Sequence, residues 1–157
     1  MVNITIPETL QKSDPSIFAG NSVLTSIQWN AINCNDFNSS IAGPFYANRQ
    51  QIKNFTFGNK VKHIPAYLCY YMDNDNHTHA VIPSGCETIG NYAFYRNTKL
   101  SYVQLGTSNI GTLAQADMDV SISAIGEEAF SLCTKVSTCS IPYNVTSIGT
   151  LSFWSLG

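Results

Sequence analysis

The side chains with the greatest potential for chemistry lie in one short segment that alternates acids and histidines. Asp73, Asp75, His77 and His79 are of types that bind zinc, and a His-x-His pair on a strand places both imidazoles on one side. The repeat pattern described below, however, puts His77 where leucine is otherwise found and His79 on the outward face. We therefore predict no metal site and no cofactor, and instead a partly buried histidine beside a solvated acidic loop.

A second possibility is nucleophilic catalysis, because the chain has many serines and three histidines. No Gly-x-Ser-x-Gly elbow is present, and no acid and base stand at a recognisable catalytic spacing. Glu127 and Glu128 are adjacent on an expected turn, so their carboxylates should diverge instead of converging on a substrate. The sequence predicts no catalytic residues, and we expect the protein not to be an enzyme.

The elements that must position these side chains are repeats. An apolar-x-x-apolar-x-apolar pattern recurs, most clearly from Leu100 to Leu105 and from Val136 to Ile141. This pattern, repeated about every 20 to 29 residues, is typical of leucine-rich repeat solenoids. Between these copies stand recurring isoleucine dipeptides: Ile64-Pro65, Ile89-Gly90, Ile110-Gly111, Ile125-Gly126 and Ile148-Gly149.

Each repeat predicts one short strand, because inward apolar residues alternate with outward polar ones. A glycine then allows a sharp turn, with a positive φ as one option, and residues such as Glu127–Phe130 suit one helical turn. We expect Phe94 and Phe130 to fill the interior together with Ile89, Leu105, Ile125, Ile141 and Ile148. The six predicted strand segments are 27–29, 55–57, 80–82, 103–105, 120–122 and 139–141, with a longer loop at 30–48 and a shortened coil at 111–125.

The repeat from Ile141-Pro142 through Phe153, and the stretch from Ile125 through Ile141, resemble the BspA-like leucine-rich repeats, named after a bacterial surface antigen. That family's consensus runs roughly I-P-x-x-V-T-x-I-G-x-x-A-F-x-x-C-x-x-L-x-x-V. The resemblance covers nearly the whole chain, with departures at His77, Cys86 and Gln115. It implies a β-rich solenoid of short parallel strands, one per repeat, with short helical turns opposite.

Composition narrows the possible partners. Only 11% of the residues are charged and the net charge is −2, without a Lys/Arg run, so we expect no nucleic-acid partner. No apolar stretch reaches the roughly 18 residues of a transmembrane segment. Five cysteines without a Cys-x-x-Cys spacing indicate free thiols in buried repeat positions, with Cys34 the least constrained because it lies in the irregular loop.

The two ends of the chain lack the polar capping repeats that solenoids need. We therefore expect residues 1–157 to form a single leucine-rich repeat solenoid that is a fragment of a longer array. Phe153, Trp154 and Leu156 should be partly exposed. Uncovered solenoid ends also predict self-association that depends on concentration.

The remaining candidate for function is the outward surface of the strands, which is uncharged and rich in hydroxyls and amides. We predict a ligand-binding face there, and Tyr102 is its best anchor because aromatic residues often dominate interfaces. The predicted face consists of Asn54, Thr56, Tyr102, Gln104, Thr138 and Ser140.

The preferred hypothesis is a non-enzymatic binding module whose partner is a protein or a glycan. The family resemblance implies an adhesin-like bacterial protein that is secreted or displayed at the cell surface and recognises a host or cell-surface macromolecule. Two alternatives stay open: a structural spacer without a ligand, and the recognition arm of a larger enzyme. Repeat scaffolds host unrelated partners, so the ligand does not follow from the fold.

Overall fold

The computed structural model describes residues 2–106 and 120–157. Within these ranges the chain forms short strands and a 3-10 turn at Tyr46–Asn48. The central coils contribute a longer strand and a short strand, whereas the first two contribute only a longer strand and the last only a short one. The strands are β1 (Val2–Ile6), β2 (Leu24–Trp29), β3 (Asn54–Phe57), β4 (His63–Ile64), β5 (His79–Ile82), β6 (Thr88–Ile89), β7 (Tyr102–Leu105), β8 (Ala124–Ile125) and β9 (Ser147–Ile148).

All strand pairings in the described ranges are parallel, and they form two kinds of ladder. The longer strands make a sheet of order β1-β2-β3 and a separate pair β5-β7. The short strands make one continuous ladder, β4-β6-β8-β9, in which Ile64, Ile89, Ile125 and Ile148 stand in register. This arrangement confirms the predicted β-rich repeat solenoid. The short ladder was not predicted, although the isoleucine dipeptides mark every strand in it.

Four of the six predicted strand segments are strands: 27–29, 55–57, 80–82 and 103–105. The predictions for 120–122 and 139–141 were wrong, so the expected minimum of five strands in these segments is not reached. Val136 is buried and Cys139 half-buried, yet the backbone of 139–141 is not paired with β7. The apolar pattern therefore indicated which side chains face inwards, but it did not determine whether the backbone of 139–141 pairs with a neighbouring strand.

Segment 120–122 was misassigned for a different reason. Ile122 precedes Ile125 by three residues, as Cys86 precedes Ile89, and both Ile122 and Cys86 are fully buried. The amide of Ser121 donates to the carbonyl of Ser84 at 2.8 Å, which places this segment on the approach to the short ladder. Ile89 pairs directly with the position of Ile125, so the predicted shortened coil adds no strand between β6 and β8. Ile110-Gly111 itself lies outside the described residues.

The segment after each short strand is a run of stacked β-turns instead of the predicted helical turn. The amide of Ala93 donates to the Gly90 carbonyl, and the amide of Tyr95 donates to the Tyr92 carbonyl. Tyr92, two residues after Gly90, has a left-handed backbone with φ 58°. Alternate amides then donate to the next coil: Phe94 to Ala129 and Phe130 to Ser152, both at 2.8 Å. The turns therefore form a backbone ladder of their own, which we call the turn ladder.

The glycines of the turn ladder are required by close approach, and the positive φ that the sequence left open as one option is not what requires them. A Cβ on Gly126 would lie 2.6 Å from the backbone nitrogen of Asn91 and 2.6 Å from the carbonyl carbon of Gly90. Neither Gly90 nor Gly126 has a positive φ. Glycine therefore lets successive coils approach more closely than any Cβ permits.

The core runs along the axis as predicted for most of its length. Phe94 stacks on Phe130 with ring centroids 5.1 Å apart, and Phe130 stacks on Phe153 at 5.6 Å. Phe94, Phe130, Ile89, Ile125 and Leu105 are buried, which confirms their predicted place. The prediction was wrong for the last coil, because Ile141 and Ile148 are both 47% exposed, with no described coil packed over them.

The side chains of the last coil match the remaining expectation for that end, since Trp154 is exposed and Phe153 and Leu156 are half-buried. All five cysteines are free thiols, and four of them are buried. The expectation that Cys34 is the least constrained was wrong, because its thiol is buried and donates to the Gln11 carbonyl.

Candidate functional site

The predicted binding face follows the longer strands, which project alternate side chains outwards. Register places Ser26 beside Asn54 and Gln28 beside Thr56 on β2 and β3. The Thr56 hydroxyl donates to Gln28 Oε1 at 2.6 Å, and Asn54 Nδ2 donates to the Ser26 hydroxyl at 3.3 Å. Neighbouring coils thus hold each other's polar side chains, and this part of the face has an ordered hydrogen-bonding pattern.

The second part of the face lies on β5 and β7. His79 and Tyr102 are register partners whose ring centroids are 5.5 Å apart, and Val81 stands beside Gln104. The Tyr102 hydroxyl donates to Gln104 Oε1 at 2.9 Å, so two predicted ligand residues already bond to each other. Val81 is 49% exposed and supplies an apolar patch on an otherwise polar surface.

The structure does not join all six predicted residues into one continuous row. Asn54 and Thr56 are separated from Tyr102 and Gln104 by the break between β3 and β5. Thr138 and Ser140 are exposed but lie on a segment of the last coil that pairs with no described strand. The predicted face is thus divided into three sections with different backbone support.

The break between β3 and β5 forms a groove with a volume of about 360 Å³. The backbone amides of Tyr102 and Gly106 donate to the carbonyls of Thr78 and Ile82, which therefore point towards β7. Because backbone groups alternate in direction along a strand, those of His79 and Val81 point towards β3. The groove therefore presents unpaired strand edges as well as side chains. It is lined by Lys53, Asn54, Phe55, Thr56, Phe57, Asn76, His77, Thr78, His79 and Val81.

His77 is buried more deeply than predicted, with a relative exposure of 2%. Burial lowers the pKa of His77 to about 4, and the side chain of Asn97 opposes that shift. Its Nε2 atom has no hydrogen-bond partner among the described residues. The imidazole replaces the leucine of other repeats and is neutral near pH 7.

The acidic and histidine-rich segment does not converge on a metal site. Asp73 accepts a hydrogen bond from the Thr98 hydroxyl, and Asp75 forms an ion pair with Lys99 at 2.9 Å. His79 faces outwards while His77 faces the core. Among the described residues, no group of three or more metal-ligand side chains is placed to hold an ion.

The structure brings together one constellation that the sequence did not indicate. His63 Nε2 lies 2.8 Å from Asp36 Oδ1, and His63 Nδ1 lies 2.6 Å from the Thr88 hydroxyl. The imidazole bond is the main cause that lowers the pKa of Asp36, and the amide of Ala66 adds to it. An acid, an imidazole and a hydroxyl in this order resemble a nucleophilic triad in their connectivity.

The hydrogen bonds of that constellation nevertheless stabilise the fold and do not form a catalytic site. The amides of Glu87, Thr88 and Gly90 around the hydroxyl all donate to carbonyls of the preceding coil, at 2.7 to 3.2 Å. They are therefore not available to stabilise an oxyanion. We interpret Asp36, His63 and Thr88 as a hydrogen-bonded link between three consecutive coils, which we call the Asp36–His63–Thr88 tie.

The most aromatic surface lies on the turn ladder and was also missed from the sequence. Tyr67 stacks on Tyr92 with centroids 5.0 Å apart, and Tyr70 stacks on Tyr95 at 5.2 Å. Six of the chain's eight tyrosines belong to this surface, all half-buried. We call it the tyrosine band: Tyr46, Tyr67, Tyr70, Tyr71, Tyr92 and Tyr95, with Arg49 and Arg96.

Charges lie at both ends of the tyrosine band. Arg96 stands over the Tyr71 ring at 4.7 Å, and Arg49 stands over Tyr46 at 3.9 Å. Burial, followed by the carboxylates of Glu128 and Glu127, raises the pKa of Tyr92 to about 12. The sequence signal was the shared spacing of Tyr67-x-x-Tyr70-Tyr71 and Tyr92-x-x-Tyr95-Arg96, which the repeat frame places in register.

Comparison with models of known protein families gives a match over almost the whole chain. A family model described as "BspA type Leucine rich repeat region (6 copies)" matches residues 1–101 and 70–156. No curated protein matches the chain. No helix of the described ranges is long and apolar enough to cross a membrane.

Two solved structures share the fold. A leucine-rich repeat protein from Eubacterium ventriosum ATCC 27560 superposes with a TM-score of 0.62 at 23% identity, over 98% of this chain and 42% of that one. Another from Bacteroides ovatus ATCC 8483 has a TM-score of 0.55 at 18% identity, over 99% of this chain and 44% of that one. The chain thus spans less than half the length of either protein.

Proposed function

Because the chain belongs to the BspA-type leucine-rich repeat family, we propose that it is a non-enzymatic, adhesin-like binding module of a secreted or cell-surface bacterial protein. The family is a repeat scaffold, and no catalytic family is indicated. Its partner would be a host or cell-surface protein or glycan. In the parent protein this chain would be one solenoid segment of a longer array.

One observation carries this proposal, namely the ordered row of uncharged donors and acceptors on the longer strands. Thr56 and Gln28 hold each other, as do Tyr102 and Gln104, so part of the entropy cost of fixing these side chains is already met. Such groups can exchange their mutual hydrogen bonds for bonds to a ligand. Tyr102 adds an aromatic anchor of the kind that dominates many interfaces.

The size of the face predicts weak binding by a single module. Short strands about 4.8 Å apart give a small footprint, and stable interfaces bury roughly 800 Å² per partner. A longer array would gain affinity through several such contacts at once. This behaviour distinguishes the binding module from a structural spacer, which would show no ligand at any length.

The test is a binding screen of the chain, and of a longer parent sequence, against immobilised matrix proteins and glycans. Tyr102→Ala and Gln104→Ala should weaken any binding observed, while Tyr143→Ala, an exposed tyrosine outside the face, should leave it unchanged. Binding that survives both face substitutions would move the site elsewhere. Absence of binding by both lengths would favour the spacer, and a catalytic domain in the parent sequence would favour the recognition arm of an enzyme.

A further inference from the structure

We propose that the tyrosine band is a second interaction surface, separate from the strand face, which binds an acidic, extended segment of a protein partner. It extends beyond the function proposed above, because no residue of the band belongs to the strand face.

The first step concerns the composition of the band. Both arginines of the chain and six of its eight tyrosines lie in this one surface, whereas all six lysines lie elsewhere. Tyrosine and arginine are the residue types most enriched at the energetic centres of protein interfaces. An ordinary solvated face would instead carry lysine and glutamate.

The second step concerns the two arginines, which have no acidic partner among the described residues. Both guanidinium groups approach the Tyr71 ring, Arg96 at 4.7 Å and Arg49 at 5.7 Å from its centroid. Neither forms an ion pair with a described residue. Arg49 Nη1 donates to the Tyr46 carbonyl, whereas its Nε has no hydrogen-bond partner in the described ranges. Two cations held around one ring without a carboxylate form a site that an anionic group complements.

The third step concerns which part of each tyrosine a partner can reach. The stacked pairs cover each other's ring faces, with interplanar angles of 5° and 8°. Ring edges are electropositive and therefore attract oxygen atoms. The hydroxyls of Tyr70 and Tyr95 have no hydrogen-bond partner in the described ranges, so they also remain available.

These features favour a peptide over a sugar as the occupant. A sugar ring stacks on an aromatic face, and the inner faces of the stacked pairs are already covered by tyrosine. Backbone carbonyls can contact the ring edges and hydroxyls, while carboxylates reach Arg49 and Arg96. Glu127 and Glu128 beside Tyr92 repel acids at the opposite end, so the acidic part of the segment lies over the arginine end.

The experiment uses fluorescein-labelled poly-L-glutamate, titrated with the chain and followed by fluorescence anisotropy at low and physiological salt. We expect saturable binding that Arg96→Gln weakens roughly fivefold, as expected for one charge pair at an exposed site. Lys12→Gln makes the same change of charge in a residue outside the band and should have little effect. The double substitution Glu127→Gln and Glu128→Gln should tighten binding.

The variants also separate shape from charge. Arg96→Lys keeps the charge but loses the planar group over Tyr71, so it should restore only part of the affinity. Tyr95→Ser should weaken binding without loss of the folded state, because the ring is half-buried at the surface; circular dichroism checks this. Dextran sulfate, an anionic polysaccharide, is titrated in the same way to test whether the band binds an anionic glycan instead of a peptide.

Several outcomes would overturn the proposal. Absence of poly-L-glutamate binding at low salt would do so, as would equal losses for Arg96→Gln and Lys12→Gln, which would indicate nonspecific charge attraction. Dextran sulfate that binds as tightly, with the same dependence on Arg96 and Tyr95, would assign the band to an anionic glycan. These results are independent of Tyr102→Ala, so failure here and failure of the strand-face proposal are distinguishable.

Discussion

The turn side and the strand side of this solenoid are formed by the same coils, yet they differ in continuity. On the turn side, amides donate from coil to coil without interruption, from Tyr67 to Asn91 at one end and from Leu132 to Trp154 at the other. On the strand side, the sheet breaks between β3 and β5, and the predicted strand at 139–141 pairs with no strand in the described ranges.

The difference shows where the repeat is constrained and where it tolerates change. Backbone contact at Gly126 and stacked rings at Phe94 and Phe130 leave little room for altered side chains or extra residues. The strand side instead accommodates the long loop at 30–48 and a longer step between Ile89 and Ile125. We infer that the turn side supports the scaffold while the strand side is free to vary.

The largest effect is expected from the central ring of the phenylalanine stack. Phe130→Ala removes a buried ring between Phe94 and Phe153 and should lower the free energy of unfolding by about 3–5 kcal/mol. Phe153→Ala, at the half-buried end of the same stack, should cost clearly less. Urea denaturation measures both, and equal losses would contradict the stack as the organising core.

An acid-dependent loss of stability should arise from His77. Its folded pKa of about 4 lies below the ordinary value of 6.5, so the unfolded chain binds a proton first as the pH falls. The stability that depends on neutral His77 is therefore complete above pH 6.5 and is lost towards pH 4, by about 3 kcal/mol.

The variant His77→Leu restores the residue type of the other repeats and should flatten this dependence. Unfolding free energies between pH 7 and pH 4 test it, with His79→Leu as the exposed control. An unchanged pH slope in His77→Leu would show that another group titrates in this window.

A smaller loss should follow from adding one methyl group between coils. Gly126→Ala places a Cβ about 2.6 Å from backbone atoms of the preceding coil, so the coils must separate. Overpacking of this kind costs about 1–3 kcal/mol. Gly85→Ala is the matched control, because its Cβ would meet only the Asn59 carbonyl at 3.5 Å, an ordinary contact. Comparable losses at both glycines would argue against close approach as the reason for Gly126.

The smallest effect is expected from the tie between Asp36, His63 and Thr88. Asp36→Asn removes the negative charge beside His63, and because Asp36 is largely exposed the loss near pH 7 should be at most about 1 kcal/mol. The pKa of Asp36 is lowered in the folded state, so its contribution is present above the ordinary value of 3.8 and is lost as the pH falls below it. Thermal denaturation at pH 7 and pH 3 should show a larger difference between wild type and variant at pH 7 than at pH 3.

The sequence predicted the repeat and most of its core because period and burial are coupled. Inward residues such as Val103 and Leu105 recur at fixed offsets, and the structure buries them. The pattern could not separate 120–122 from a strand, since Ile122 is equally buried on the approach to the short ladder. Backbone pairing depends on partners in neighbouring coils, which no single repeat specifies.

The candidate site was less predictable for a related reason. Alternation identifies outward residues such as Thr56 and Gln104, but it does not show that the sheet breaks between their strands. The tyrosine band requires the three-dimensional register of Tyr67 with Tyr92, and the Asp36–His63–Thr88 tie joins residues from three coils. The expectation of helical turns failed because left-handed residues such as Tyr92 and Glu128 do not reveal their backbone conformation by type.

Amide hydrogen exchange at single-residue resolution tests the contrast between the two sides most directly. The amides of Phe94 and Phe130, each bonded to the next coil at 2.8 Å, should exchange only when the whole molecule unfolds. The amides of His79 and Val81, which face the break between β3 and β5, should exchange about a hundredfold faster or more. Equal protection at Val81 and Phe94 would contradict the account, because it would mean that the strand side is as continuous as the turn side.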